Sequence, residues 1–216
     1  MSDITVFGAN GTLGSAIVRE ALERGHTVTA VVRDPAKVTV QHPRLSVTPG
    51  DVLDPQSVSS AATGQDVLVS AVGGRDGQGH LATIEPSAKA LTEGLRALGG
   101  QAPRLIAVGG AGTLRTPDGA LVQDNPGLPE DLLKIMHAHG AALEHYRSVT
   151  DLDWVNVSPA ASIAPGERTG AYRTSLDDLL VDDEGESTIS VEDYALAIVD
   201  EIETPRHRMQ RFAVAY

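Results

Sequence analysis

Residues 4–14 read Ile-Thr-Val-Phe-Gly-Ala-Asn-Gly-Thr-Leu-Gly: an apolar, β-prone run, then three glycines at three-residue spacing, then a helical pattern. Few backbones satisfy both halves of this stretch. A strand must end, the chain must turn through a conformation that glycine takes most freely, and a helix must start against the same strand. Gly8 permits the tight turn. Gly11 lets a ligand phosphate approach the free N–H groups at the helix start, and Gly14 lets the helix pack closely on the strand. The strand before and the helix after supply the context that a lone glycine triplet lacks, so the expected ligand is a dinucleotide pyrophosphate.

The rest of the chain continues the alternation. Short apolar runs predict strands at Asp3–Phe7, Thr27–Val32, Leu45–Val47, Val67–Ala71, Arg104–Val108 and Trp154–Val157, with a last strand at Arg211–Ala215. Helices are predicted from Thr12 to Arg24, with Leu13, Ile17 and Ala21 on one face, and from Asp54-Pro55 to about Ala62. A third starts with Pro86 in its first turn and reaches about Leu98 before Gly99-Gly100, and a fourth covers Asp131–Ser148. Ser190-Val191-Glu192-Asp193 is a capping box with Asp in the place of Glu, and it opens a helix that Pro205 ends. The pattern predicts an α/β fold, a Rossmann-like doubly wound, mainly parallel sheet with helices on both faces. With 216 residues and 41% hydrophobic content, one core suffices, so residues 1–216 are expected to form a single NAD(P)-binding domain. Gly109–Pro129 and Pro159–Ser187 resist assignment. Each follows a predicted strand, so the substrate cleft is expected to be formed by loops 109–130 and 159–187 at the carboxyl edge of the sheet.

Composition removes several classes of function. There is no cysteine, which excludes disulfides, thiol nucleophiles and Fe–S clusters and fits a reducing compartment. A formal charge of −12 opposes binding to a phosphate backbone, so no nucleic-acid partner is expected. No apolar run approaches the roughly 18 residues of a membrane span, and no basic stretch followed by an apolar run opens the chain. The expectation is a cytoplasmic protein with neither a signal peptide nor a membrane partner.

The end of the second predicted strand bears on which dinucleotide is held. An NAD site usually offers an acidic side chain there to the ribose 2′-hydroxyl. This chain offers Val31-Val32-Arg33-Asp34-Pro35, and Arg33 can clasp a 2′-phosphate through several donors. NADP (as NADPH) is therefore favoured over NAD, unless Asp34 neutralises Arg33 in a surface pair. After the third strand, Asp51 can accept from the adenine amino group while the Val52 N–H reads the ring; the alternative is that Asp51 only braces the turn before Asp54-Pro55. Ser70–Gly74 lets glycine-rich backbone pass close to the ribose, or is a plain loop.

The blocks Gly8-Ala9-Asn10-Gly11-Thr12-Leu13-Gly14, Val31–Asp34 and Gly50-Asp51-Val52 resemble the atypical short-chain dehydrogenase/reductases. Residues 152–160, 164–170 and 189–195 narrow the likeness to an NAD(P)H-binding, NmrA-like branch with flavin and biliverdin-IXβ reductases. The resemblance covers nearly the whole chain. It implies cofactor contacts at Gly8, Asn10, Gly11, Thr12, Leu13, Arg33, Asp51 and Val52, and further ones near Val72-Gly73 and Pro159. It implies NADPH more than NADH.

Most short-chain dehydrogenases use a Tyr-x-x-x-Lys pair as proton relay. The tyrosines at 146, 172 and 194 are followed four residues later by Thr150, Leu176 and Ile198, and Tyr216 is the last residue. No such pair exists. In the flavin-reductase relatives a serine falls near Gly110 and a histidine near Ala161; this chain has neither. The remaining candidate catalytic groups are Thr113, His139 and Tyr172, with His137 beside them. His137 and His139 lie two apart on a predicted helix and point to different sides, so no metal site is expected. The acidic run from Asp177 to Glu184 reads as a solvated loop. The expected function is an NADPH-dependent oxidoreductase that passes hydride to a small organic acceptor (quinone, flavin or reactive carbonyl), as a monomer or homodimer. The alternative is a non-catalytic NADP-binding redox sensor of the NmrA-like type.

Overall fold

Parallel strands covered on both faces require continuous apolar runs, and the central strands carry them. The computed structural model describes residues 1–216. In chain order the elements are β1 (Asp3–Phe7), α1 (Thr12–Glu23), β2 (Thr27–Val32), β3 (Leu45–Pro49), α2 (Pro55–Ala62), β4 (Val67–Ser70), α3 (Gly77–Arg96), β5 (Arg104–Val108), α4 (Glu130–Arg147), β6 (Trp154–Ser158), β7 (Ser162–Ala164), β8 (Arg173–Ser175), β9 (Thr188–Ser190), α5 (Val191–Glu203) and β10 (Gln210–Ala215). The main sheet has the order β3-β2-β1-β4-β5-β6-β10-β8 and is parallel except for β8. The strand order reverses between β1 and β4, the position where a doubly wound sheet leaves a crevice at its carboxyl edge. This is the Rossmann-like α/β fold that the alternation predicted.

Successive side chains of a strand point to opposite faces, and here they feed two cores. Ile4, Val6, Val69, Ile106 and Val157 pack under α1 and α5 with Ile17, Ala21 and Ile198. Phe7, Leu68, Leu105 and Trp154 pack under α2, α3 and α4 with Val58, Leu91, Leu95 and Tyr146. The capping box at Ser190 forms by half. The Ser190 Oγ accepts from the Asp193 N–H at 2.9 Å, whereas the Asp193 carboxylate turns outward to accept from the Thr169 and Gly170 N–H groups and the Tyr216 hydroxyl.

One expectation needs correction. Helix α3 begins at Gly77, nine residues before Pro86, with the Asp76 side chain capping the Gly79 N–H at 2.7 Å. Pro86 sits inside this helix because Pro86 and Ala82, whose carbonyl would lose its usual donor, are both exposed to solvent. The two unassigned segments also contain structure. Residues 159–187 hold β7 and β8, and they are tied to the helix pair α1/α5 by Arg168 on Glu20 (2.8 Å) and Thr169 on Asp193 (2.6 Å). Residues 111–123 fold over the β10 end of the sheet, where Ala111 and Leu114 cover Ala213. The two segments meet each other where Arg115 and Asp177–Leu179 exchange backbone hydrogen bonds at 2.9 and 2.7 Å.

Candidate functional site

The glycine turn lies at the crevice between β1 and β4. Gly8 has φ +79°, and a Cβ there would sit 2.4 Å from the Ala71 carbonyl oxygen. Both the backbone conformation and the close approach of β4 exclude a side chain. A Cβ on Gly14 would lie 2.1 Å from the Gly8 carbonyl oxygen, so α1 packs directly on the turn. Gly11 is the N-cap of α1, is exposed, and offers no side chain to the first N–H groups of the helix. These free donors at the positive end of the helix suit an anion. The cradle therefore fits a dinucleotide: its outer face is backbone, and a side chain at Gly11 would fill it.

Beside the turn lies a cavity of about 170 Å³ that gathers Gly8, Asn10 and Gly11 from the turn, Arg33 from the end of β2, Asp51 and Val52 after β3, and Val72 and Gly73 after β4. Phe7, Val31 and Leu53 supply its apolar wall, and Thr83 of α3 closes one side. Thr12 faces a second groove that also reaches Asn10 and Gly11, while Leu13 packs against the α1/α5 core. Pro159 is buried just past the end of β6. Of the eleven expected cofactor contacts, the structure thus brings eight to one cavity and leaves Thr12, Leu13 and Pro159 on its borders or beyond.

The charges around Arg33 are sorted by geometry. Asp34 caps the Ala36 N–H at 3.2 Å and approaches Lys37 at 3.5 Å. Arg33 is exposed and forms no ion pair, so its guanidinium stays available on the cavity wall. Asp51 does brace the local turn, with its Oδ1 accepting from the Leu53 N–H at 3.0 Å and its own N–H donating to the Ser57 Oγ at 3.0 Å.

The three candidate catalytic side chains separate. The Thr113 Oγ1 accepts from Arg211 at 2.7 Å, on the β10 side of α4. The Tyr172 hydroxyl donates to Asp200 of α5 at 2.6 Å, and burial and Asp200 together push its pKa well above the usual tyrosine range. Neither hydroxyl is turned toward the glycine cradle. His139 is different. Its side chain is half-buried beside the carboxyl end of β5, where a Cβ on Gly110 would lie 2.9 Å from the His139 Cβ. Burial, reinforced by His80, pulls its pKa down to about 4, so the ring is neutral at ordinary pH.

His80 is the group that the sequence reading missed. Its ring lies 5.9 Å from that of His139, centroid to centroid. The His80 Nδ1 meets the Asp76 carbonyl at 2.8 Å, and because a carbonyl only accepts, that nitrogen carries the proton. The Nε2 then faces the backbone after β4, 3.2 Å from where a Gly73 Cβ would be. Asp76-Gly77, read as a cap, would have put His80 on the first turn of α3; Pro86 drew the predicted helix start away from it. His137, two residues from His139, is exposed on the opposite side of α4.

The other three tyrosines are engaged elsewhere in the fold. Tyr146 stacks on Trp154 with centroids 5.8 Å apart, the Tyr194 hydroxyl donates to the Val157 carbonyl at 2.5 Å, and the Tyr216 hydroxyl donates to Asp193. The lysines pair with Asp34, Glu85 and Glu130 on the surface. No helix is long and apolar enough to cross a membrane.

Comparison with known proteins agrees with this geometry. A family described as NAD(P)H-binding matches residues 8–205. The uncharacterized protein YwnB of Bacillus subtilis is 36% identical over 214 residues, 98% of this chain and 97% of its own length. The crystal structure of a proposed exported protein from Burkholderia pseudomallei is 43% identical, covers both chains completely and superposes with a TM-score of 0.88. That of a proposed NADH-flavin reductase from Streptococcus pneumoniae is 31% identical, covers 100% of this chain and 99% of its own, and has a TM-score of 0.87. The chain therefore belongs to the NAD(P)H-binding family, a membership that fits the resemblance to atypical short-chain dehydrogenase/reductases in its sequence.

Proposed function

We propose that this protein is an NADPH-dependent reductase that acts on a small organic acceptor, a quinone, flavin or reactive carbonyl, without a Tyr-Lys relay. The observation that carries the choice of NADPH is Arg33, a guanidinium on the cavity wall with no carboxylate partner. In this reading the N–H groups at the start of α1 hold the pyrophosphate, Val31, Val52 and Leu53 flank the adenine, and Arg33 clasps the 2′-phosphate. Val72 and Gly73 let the backbone approach the second ribose. NADPH, when bound, supplies the hydride. His80 and the neutral His139, above the ends of β4 and β5, orient the acceptor by hydrogen bonds. Thr113 and Tyr172 take no part, because their hydroxyls serve Arg211 and Asp200. The absence of cysteine supports a cytoplasmic setting, which is part of the proposal.

One observation favours a second reading. A histidine held neutral to a pH of about 4 is a poor proton donor, and no tyrosine replaces it. The cradle could then serve an NADP-binding sensor that reports redox state to a protein partner. NADPH absorbance followed against a panel of quinones, flavins and aldehydes, beside NADPH and NADH binding titrations, separates the two. Tight NADPH binding with no turnover of any acceptor would sink the reductase reading and leave the sensor.

A further inference from the structure

His80 is half-buried in the first turn of α3, between the cofactor cavity and the end of β5. On one side its Nε2 lies 3.2 Å from where a Gly73 Cβ would be, and Gly73 lines the cavity beside the glycine turn. Thr83, three residues on and so on the same face of α3, closes that cavity. On the other side stands the His139 ring, 5.9 Å away. A Cβ on Gly74 would meet the His80 backbone nitrogen at 2.2 Å, so the loop after β4 packs directly on the start of α3 and holds the ring in this place. The His80 Nδ1 is engaged by the Asp76 carbonyl, whereas its Nε2 makes no hydrogen bond within the protein. The positive end of α3 opposes a charge on the ring, but two carboxylates meet that end: Asp76 on the Gly79 N–H at 2.7 Å and Asp131 of α4 on the Gly77 N–H at 3.0 Å. Of the other charged groups nearby, Lys134 of α4 pairs with Glu130, and Arg75 is exposed in the preceding loop. Charge on His80 is one of the two reasons that His139 stays neutral, so a single proton between the two rings rests on His80.

We propose that His80 is the general acid of the reduction, and that the acceptor is a carbonyl compound, an aldehyde or a quinone, whose oxygen meets the His80 Nε2. This rests on the reductase reading and supplies the proton donor that His139 and the tyrosines do not. The acceptor carbonyl takes a hydride from NADPH, its π electron pair moves to the oxygen, and the oxygen takes the proton from Nε2 as that N–H bond breaks. The products are an alcohol or hydroquinone, NADP⁺ and a neutral His80 that keeps its proton on Nδ1. Solvent then returns a proton to Nε2. A flavin takes the hydride on a ring nitrogen and leaves as an anion, so it needs no such acid.

The test compares wild type and His80→Gln, as full chains, in NADPH oxidation with benzaldehyde, menadione and flavin mononucleotide between about pH 5 and 9. With benzaldehyde or menadione, the wild-type kcat is expected to fall on the alkaline side, at the midpoint that the His80 ring shows by NMR in the NADP⁺ complex. His80→Gln should lose about a hundredfold or more in kcat together with that alkaline limb. Its NADPH Kd should stay within about twofold of wild type, because Nε2 serves the acceptor. Long-range proton–nitrogen NMR of the free protein should show the neutral His80 ring protonated on Nδ1. An active wild type with an equally active His80→Gln, a rate loss matched by lost NADPH affinity, a neutral ring protonated on Nε2, or turnover of the flavin alone would overturn this proposal and leave the reductase reading standing. A wild type that turns over none of the three acceptors would overturn both.

Discussion

Replacing His139 by glutamine should remove a specific part of the protein's acid sensitivity. The folded protein holds this ring's pKa at about 4, against 6.5 for a free histidine, because burial and the neighbouring His80 both oppose a charge there. As pH falls, the unfolded chain therefore takes up its proton first. The contribution of His139 to stability is intact above the unfolded value and is lost progressively between about pH 6.5 and 4. From the two pKa values, the loss between about pH 7.5 and 4.5 is on the order of 2–3 kcal/mol. Glu20, Asp193 and Glu201 have lowered pKa values and also lose stabilisation on acidification, but they do so equally in both proteins. Urea unfolding of wild type and His139→Gln at the two pH values isolates the histidine, and the variant should lose on the order of 2–3 kcal/mol less than wild type. Ring chemical shifts of His139 in the native protein should titrate with a midpoint near 4. An equal loss in the two proteins, or a midpoint near 6.5, would refute the reasoning that this ring is desolvated against Gly110.

The remaining predictions concern the cradle and the ion pairs. Arg33→Ala should weaken NADPH binding about tenfold or more, the value of a charged hydrogen bond, and leave NADH nearly unchanged in parallel titrations; equal losses would show that Arg33 does not read the 2′-phosphate. Gly110→Ser should destabilise the fold by about 1–3 kcal/mol in denaturant unfolding, because its Cβ meets the His139 Cβ at 2.9 Å. Arg104 donates to Glu201 at 2.6 Å, and Glu201 is 3% exposed. Burial alone would raise the Glu201 pKa, and hydrogen bonds from Arg104 and His207 overcome it. Arg104→Ala should therefore cost about 3–5 kcal/mol by thermal or urea unfolding, most of it from the uncompensated carboxylate.

The parts of this protein that were legible in the sequence are those written in local pattern. The run from Ile4 to Gly14 specifies strand, turn and helix within eleven residues, because the turn demands φ near +79° at Gly8 and the packing demands no side chain at Gly14. The continuous apolar runs imply strands covered on both faces, and the resulting alternation of strands and helices leaves little choice but a parallel doubly wound sheet. The sequence points to Pro86 as a first-turn residue of α3, whereas an exposed carbonyl at Ala82 lets it sit inside the helix.

What tertiary structure alone decided are relations between residues distant in the chain. Asp34 could have silenced Arg33, but the short turn after β2 aims it at the Ala36 N–H and Lys37. Thr113 and Tyr172 are candidate groups in the sequence, and in the fold Arg211 and Asp200, 98 and 28 residues away, engage their hydroxyls. His80 and His139 carry no mutual spacing signal, yet α3 and α4 pack side by side and bring their rings to 5.9 Å. Periodicity records which face of an element is apolar; it does not record which polar side chains meet across packed elements, and that meeting sets their charge and their availability.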